Sequence, residues 1–330
     1  MRLPRVTRPT SARTRTLARA VVVGAALLVG VNAWLYGMPR DASQPFLWRA
    51  ARPGSPAVWL FGTIHVPDSR VHALPADVRR AFDAATHVVT EIPLDLESQL
   101  SVTQQVLLPA DARLEAIVGE ERFARLVAVV QSALDDEAPA LSALVIPALD
   151  RLQPWAAMAQ LSLLEYLPDV LSGRPSLDAR LFEDARRAGK RVSALETVAE
   201  QAAVFDAFSV EEQVALLDAA LAQARAGQAD GRSPARELVN LYLTGDADRL
   251  AQVMRDQGPV DAGLARKFDR VLLRERNDRM IGRFERLRAA HPGDEFFVAV
   301  GALHLVGPGS LPELLQAHGY RVERVASLVP

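Results

Sequence analysis

The chain has 330 residues, 49% hydrophobic and 24% charged, an ordinary composition for a folded protein. It contains no cysteine, which excludes thiolate catalysis, disulfides and cysteine-ligated zinc. Of its 38 basic and 40 acidic residues, seven basic and no acidic ones fall in residues 1–40. The rest is therefore acidic and has no basic stripe, which argues against nucleic acid as a partner.

The N-terminal segment comes first. Arg2, Arg5, Arg8, Arg13, Arg15 and Arg19 precede an apolar run from Ala20 to Leu35, with no acidic residue before Asp41. Basic then apolar is the layout of a secretory signal or signal anchor. Trp34-Leu35-Tyr36 suits a membrane interface better than a freshly cleaved end. The expectation is an uncleaved anchor over residues 1–40, with the tail cytoplasmic and a folded domain over 41–330 outside the cytoplasm.

In that domain, residues 58–66, 87–92, 191–196, 296–301 and 320–325 read as strands, and nearly all the rest has helical period. Thr197-x-x-Glu200 and Ser209-x-x-Glu212 fit capping boxes. Ser233-Pro234 marks a helix start that Gly245 can close, and one long helix is expected from about Ala262 to Ala290. The fold class is α/β (or α+β), with a central sheet and a large helical insertion.

Two turns organise the chemistry. Gly62-Thr63-Ile64-His65 and Gly301-Ala302-Leu303-His304 each follow a buried-strand pattern, and each precedes a Leu-Pro pair opening a helix. The central sheet is thus expected from two terminal strand–Gly-x-x-His–helix–strand repeats. Imidazoles on matching turns are a way to aim two nitrogen ligands at one ion, so His65 and His304 are candidate metal ligands. His72, His87, His291 and His318 lack this context and read as surface or helix-end residues. Glu91, ending an apolar strand, costs desolvation unless it meets a cation or donors. It is the candidate third ligand or general base. Glu196 holds the same position on another strand. Asp178 opens a helix, where it could also simply complement the N-terminus. Arg276-Asn277 lies within the long helix. Asn277 shares a stripe with Leu273, Met280, Ile281 and Phe284, so its amide must find hydrogen bonds.

Together these residues resemble the TraB/GumN family, related to the Tiki proteins, which are described as membrane-tethered metalloproteases. The matching pieces are Phe61–His65, Thr90-Glu91, Leu177-Asp178, Gly189 through Thr197, Glu200-Gln201, Glu275–Met280 and Val300–Leu305, with Gly319-Tyr320 downstream. Leu303 departs from the Gly-Ala-Gly-His expected in many relatives. The resemblance implies a divalent-metal hydrolase-like site, peptidase-like, with a peptide substrate. His65, Glu91 and His304 would bind the ion, for which zinc, manganese and cobalt are all admissible. Glu91 would serve as ligand or base, Arg276 and Asn277 would bind the substrate carbonyl or oxyanion, and Glu196 and Asp178 would orient ligands. The alternative is a non-catalytic envelope protein holding a peptide or glycan in the same cleft. Because His304 follows the strand on a turn, its removal is expected to cost little core burial.

Overall fold

Apolar runs that alternate with nothing polar belong to strands covered on both faces. Three of them become β2 (Val58–Thr63), β3 (His87–Thr90) and β5 (Phe296–Gly301), whose side chains are almost all buried. The structure, a computed structural model, describes residues 44–137, 141–230, 233–256 and 261–326. The expected anchor segment lies outside the described residues. Among the described residues no helix is long and apolar enough to cross a membrane.

With β1 (Leu47–Ala51), β4 (Arg191–Ala194) and β6 (Arg321–Arg324), these strands form a six-stranded mixed sheet in the order β4-β3-β5-β2-β1-β6. The first four in that order run parallel, while β1 is antiparallel to both β2 and β6. The chain is thus α/β, as expected. Four parallel strands place four carboxyl ends on one edge, where ligand crevices form in such sheets. Residues 64–66, Glu91 and Glu196, expected inside strands, instead lie just past the strand ends.

β2 and β5 are direct neighbours, pairing Gly62 with Val300 and Thr63 with Gly301. That register brings the two Gly-x-x-His turns side by side despite their separation in sequence. The packing is tight. A Cβ on Gly62 would stand 2.8 Å from the Phe46 Cβ and 2.9 Å from the Ala302 Cα. Gly62→Ala must push β2 away from the second turn. The expected cost is about 1–3 kcal/mol, typical of overpacking, read as a lower urea midpoint with an unchanged slope.

The sheet core is joined by a second apolar cluster built wholly from helices and turns, including Val102, Leu126, Trp155, Phe205 and Leu217. Helix starts follow the sequence signals. Thr197 and Glu200 make a reciprocal capping box, as do Ser209 and Glu212. Ser233 caps Pro234–Thr244, which Gly245 ends in a left-handed conformation. The expected helix from Ala262 to Ala290 is interrupted. It runs as Ala262–Asp269, a π-helical turn over Arg270–Arg274, and Glu275–Ala290.

His87 corrects the expectation of a surface residue. It is fully buried at the start of β3, stacked 4.7 Å from Phe296, with its ring nitrogens meeting Asp294 and Ser193. A histidine at this end of the strand lies opposite the carboxyl-end edge.

Candidate metal centre

Each carboxyl end of the parallel strands delivers one functional group. β2 leads to His65, β3 to Glu91, β4 to Glu196, and β5 to Gly301 and His304. The helix Leu177–Arg187 brings Asp178 to the same edge from its first turn. The helix Glu275–Ala290 crosses it with Arg276 and Asn277 turned inward.

At the centre, Glu91 Oε1 lies 3.5 Å from His65 Nε2 and 3.7 Å from His304 Nε2. Ligand atoms sharing one tetrahedral ion stand roughly 3.3–3.6 Å apart, given bonds of about 2.0–2.2 Å. The far nitrogens are tied. His65 Nδ1 meets Asp178 Oδ2 at 2.7 Å, and His304 Nδ1 meets Asn277 Oδ1 at 2.6 Å. A carboxylate cannot donate, so His65 Nδ1 carries the proton. The Asn277 amide is oriented because its Nδ2 donates to the Gly309 carbonyl at 2.8 Å. Both histidines therefore present Nε2 lone pairs to the centre whenever they are neutral.

Behind Glu91 stands a buried ion cluster. Arg276, 3% exposed, donates to Glu91 Oε2 at 2.6 Å and to Glu196 Oε2 at 2.7 Å. Its Nε also faces both Glu196 oxygens, and its Nη1 reaches the Leu272 carbonyl. Gln201 Nε2 donates to Glu91 Oε2 at 3.2 Å, and the Gly301 N–H to Oε1 at 2.6 Å.

These contacts revise several expected roles. Arg276 and Asn277 are buried and engaged by protein groups, so neither is offered to a substrate carbonyl. Arg276 holds Glu91 and Glu196, and Asn277 holds His304. Glu196 orients Arg276 and no imidazole. Asp178 touches His65 as a ligand-orienting group would. His304 is 3% exposed, so its removal would cost core burial after all.

The electrostatics separate the two histidines. Burial alone would lower His65, but Asp178 and Glu91 outweigh it and raise the pKa to about 10. Burial holds His304 down to about 3 against the pull of Glu91. Burial would raise Glu91, yet Arg276 and the two histidines keep it well below the ordinary carboxylate range. Glu196 is pushed up by burial in spite of Arg276. A carboxylate so depressed is a poor general base at neutral pH and a good fixed charge or ligand.

Does the donor set fit a divalent ion? Among the described residues, no group of three or more His, Asp or Glu side chains is spaced to hold an ion as it stands. The fit is one of chemistry and space. A Cβ on Gly301 would sit 3.1 Å from both Glu91 Oε1 and His65 Nε2, and 3.8 Å from His304 Cδ2. The missing side chain leaves a small cradle between the three donors. The ionised Glu91 makes the same spot one that attracts positive charge.

Some contributing residues escaped the sequence reading. The Thr63 hydroxyl donates to Asp178 Oδ1 at 2.5 Å, completing a chain from β2 through Asp178 to His65. The Tyr242 hydroxyl anchors the Gly62 carbonyl at 2.7 Å. Gln201 sits five positions beyond Glu196, one helical turn into the cap. Thr63 lies inside the first turn motif and Gln201 inside the matching Glu200-Gln201 piece, which were the available signals; Tyr242 arrives from a helix with no local cue. Asp178→Asn should leave the fold intact but cut metal affinity about 10–100-fold, the usual effect of losing a ligand-orienting partner. A competition titration with a chromophoric chelator reads this directly.

Residues 46–324 match the TraB/PrgY/gumN family profile. The chain belongs to that family. Among its relatives are "Metalloprotease TIKI2" of Danio rerio, 30% identical, covering 86% of this chain and 62% of the relative. "Metalloprotease TIKI homolog" of Nematostella vectensis is 27% identical, covering 87% and 68%. "Metalloprotease TIKI1" of Danio rerio is 29% identical, covering 88% and 65%. The chain thus spans about two thirds of the length of these relatives. No solved structure matches it.

Proposed function

We propose that this protein is a membrane-anchored, extracytoplasmic, metal-dependent hydrolase acting on peptides. The observation that carries the reading is the pair of imidazole Nε2 atoms facing one oxygen of Glu91, each with its Nδ1 fixed from behind. The names of the relatives support a protease-like reaction, and the basic-then-apolar segment before residue 41 supports tethering.

In this reading His65, Glu91 and His304 hold the ion, with nitrogen and oxygen donors that admit zinc, manganese or cobalt. A divalent ion bound there would supply Lewis acidity, lowering the pKa of a water and polarising a carbonyl. Asp178 and Asn277 keep the two imidazole rings aimed, so little rotamer freedom is lost on binding. Arg276 keeps Glu91 ionised, and the Gly301 N–H fixes the direction of its Oε1.

The test uses full-length protein in detergent, stripped with chelator and titrated with zinc, manganese or cobalt. His65 is protonated below about pH 10, so an ion must displace that proton. Binding should release close to one proton at neutral pH, and affinity should rise with pH. Calorimetry in buffers of different ionisation enthalpy measures the release. Unstructured peptides should be cleaved only by the loaded protein. A protein that binds no divalent ion at any pH would end the reading.

A further inference from the structure

The two Gly-x-x-His turns match in sequence but not in what stands behind them. The first carries Thr63 where the second carries Ala302. Both positions are buried, at 1% and 5% exposure, so neither side chain is there for water. The groups behind the imidazoles differ as well. His65 Nδ1 meets a carboxylate and His304 Nδ1 an amide. The amide is tied to main chain, at the Gly309 carbonyl. The carboxylate is tied to a side chain. The Thr63 hydroxyl donates to Asp178 Oδ1 at 2.5 Å, while Oδ2 accepts from His65 Nδ1 at 2.7 Å.

That second tie has a mechanical consequence. The torsion of an aspartate carboxylate is broad and soft. Held at one oxygen, the group can turn and carry its hydrogen bond to the imidazole with it; held at both, its plane is set. The helix Leu177–Arg187, capped by Ser176, fixes the backbone of Asp178. Thr63 is a stiff anchor for the other end. Its χ1 is restricted by β-branching, and it pairs with Gly301 as the last residue of β2. An O–H···O⁻ bond of this length is of the strong, charge-assisted kind. The soft joint between helix and His65 ring is the carboxylate torsion, and the Thr63 hydroxyl locks it.

We propose that Thr63 is a positioning residue of the metal centre, acting on His65 through Asp178. The first imidazole thus takes its aim from a side chain that the second turn lacks. The inference rests on the metal-binding part of the reading above. The same hydrogen bond also docks the helix on β2, so a loss of stability alone does not support it.

The test measures zinc affinity of full-length protein in detergent, by competition with a chromophoric chelator. Thr63→Val removes the donor with little change of shape. Affinity should fall about 10-fold, the lower end of the loss seen when a ligand-orienting partner is removed. Thr63→Ser keeps a hydroxyl and should restore most of it. Asp178→Ala should lose about 10–100-fold. Adding Thr63→Val to it should change affinity by no more than about 2-fold, since residues acting in one chain are not additive. A second readout needs no ion. In stripped, histidine-labelled protein the His65 Nδ1 proton, assigned by its loss in His65→Gln, should exchange slowly with water in wild type and Thr63→Ser. In Thr63→Val it should exchange faster. Thr63→Ala takes the place of Thr63→Val if the latter does not fold. Unchanged proton exchange in the folded donor-free variant overturns the proposal whether or not an ion binds. Unchanged zinc affinity, or a double variant whose loss is the sum of the single losses, overturns it equally. If wild type binds no divalent ion but the proton still depends on Thr63, the positioning stands and the metal reading fails.

Discussion

Arg276→Met should destabilise the protein by about 3–5 kcal/mol at neutral pH, the cost of removing one partner from a buried ion cluster. The cause is the pair of carboxylates left behind. Glu91 and Glu196 are 6% and 2% exposed, and Arg276 is the cation they share at hydrogen-bonding distance. Without it, two negative charges would be buried side by side, and burial would raise the pKa of both. The variant should therefore be weakest at neutral pH and regain stability as pH falls and the carboxylates protonate. Wild type behaves in the opposite sense at Glu91. Its depressed pKa contributes stability that is present above the ordinary value of 4.5 and lost as pH falls below it. Glu196, raised even in wild type, works the other way and blunts that loss. Urea unfolding at several pH values reads the contrast. A variant equally destabilised at pH 4 and pH 7 would show that the guanidinium acts by packing alone.

His304→Ala should abolish divalent-ion binding and any hydrolysis that depends on it. It should also cost stability, because the imidazole is buried and its loss leaves the Asn277 carbonyl without its donor. The expected loss is within the usual single-site range of about 0.5–3 kcal/mol. Gly301→Ala separates the two effects. All three donors remain, and the backbone there (φ −52°, ψ 136°) suits alanine, so the added methyl acts through the space it takes between Glu91 and His65. Ion binding should fall sharply while the melting temperature changes little. Metal content after dialysis, together with thermal unfolding, checks both variants. Full ion stoichiometry in Gly301→Ala would remove the cradle from the account.

Much of the arrangement was legible in the sequence because it is carried by strand ends. A buried strand is a short apolar run, and a polar residue within three positions of its end is conspicuous, which is how His65, Glu91 and His304 stand out; Glu196 was found by its likeness to Glu91 at the end of another strand. What joins them was less visible. β1 escaped because Leu47–Ala51 is five residues long and its Arg49 breaks the apolar pattern, yet it pairs with both β2 and β6. His87 was misread because nothing nearby in sequence announces Asp294 or Ser193. The tasks of Arg276 and Asn277 were misassigned for a related reason. Periodicity shows that a polar residue faces inward, but which carboxylate or imidazole it meets depends on contacts tens to hundreds of residues away.

The π-helical turn at Arg270–Arg274 puts the site under a different kind of control. Such a turn holds one residue more than the α-helical path it replaces. Arg276 and Asn277 follow directly, so their phase relative to Ala262–Asp269 depends on the number of residues before them as well as on their identity. The turn therefore takes up a surplus residue and keeps the two halves in phase. Were the segment to run as regular α-helix with every residue kept, all that follows would rotate by about 100°, the angle per residue of an α-helix. One half would then have to give up its packing, or both side chains would leave the carboxylates and the imidazole. Deleting the surplus residue together with the π turn should leave their aim intact, whereas deleting one from the regular helix between the turn and Asn277 should disassemble the centre.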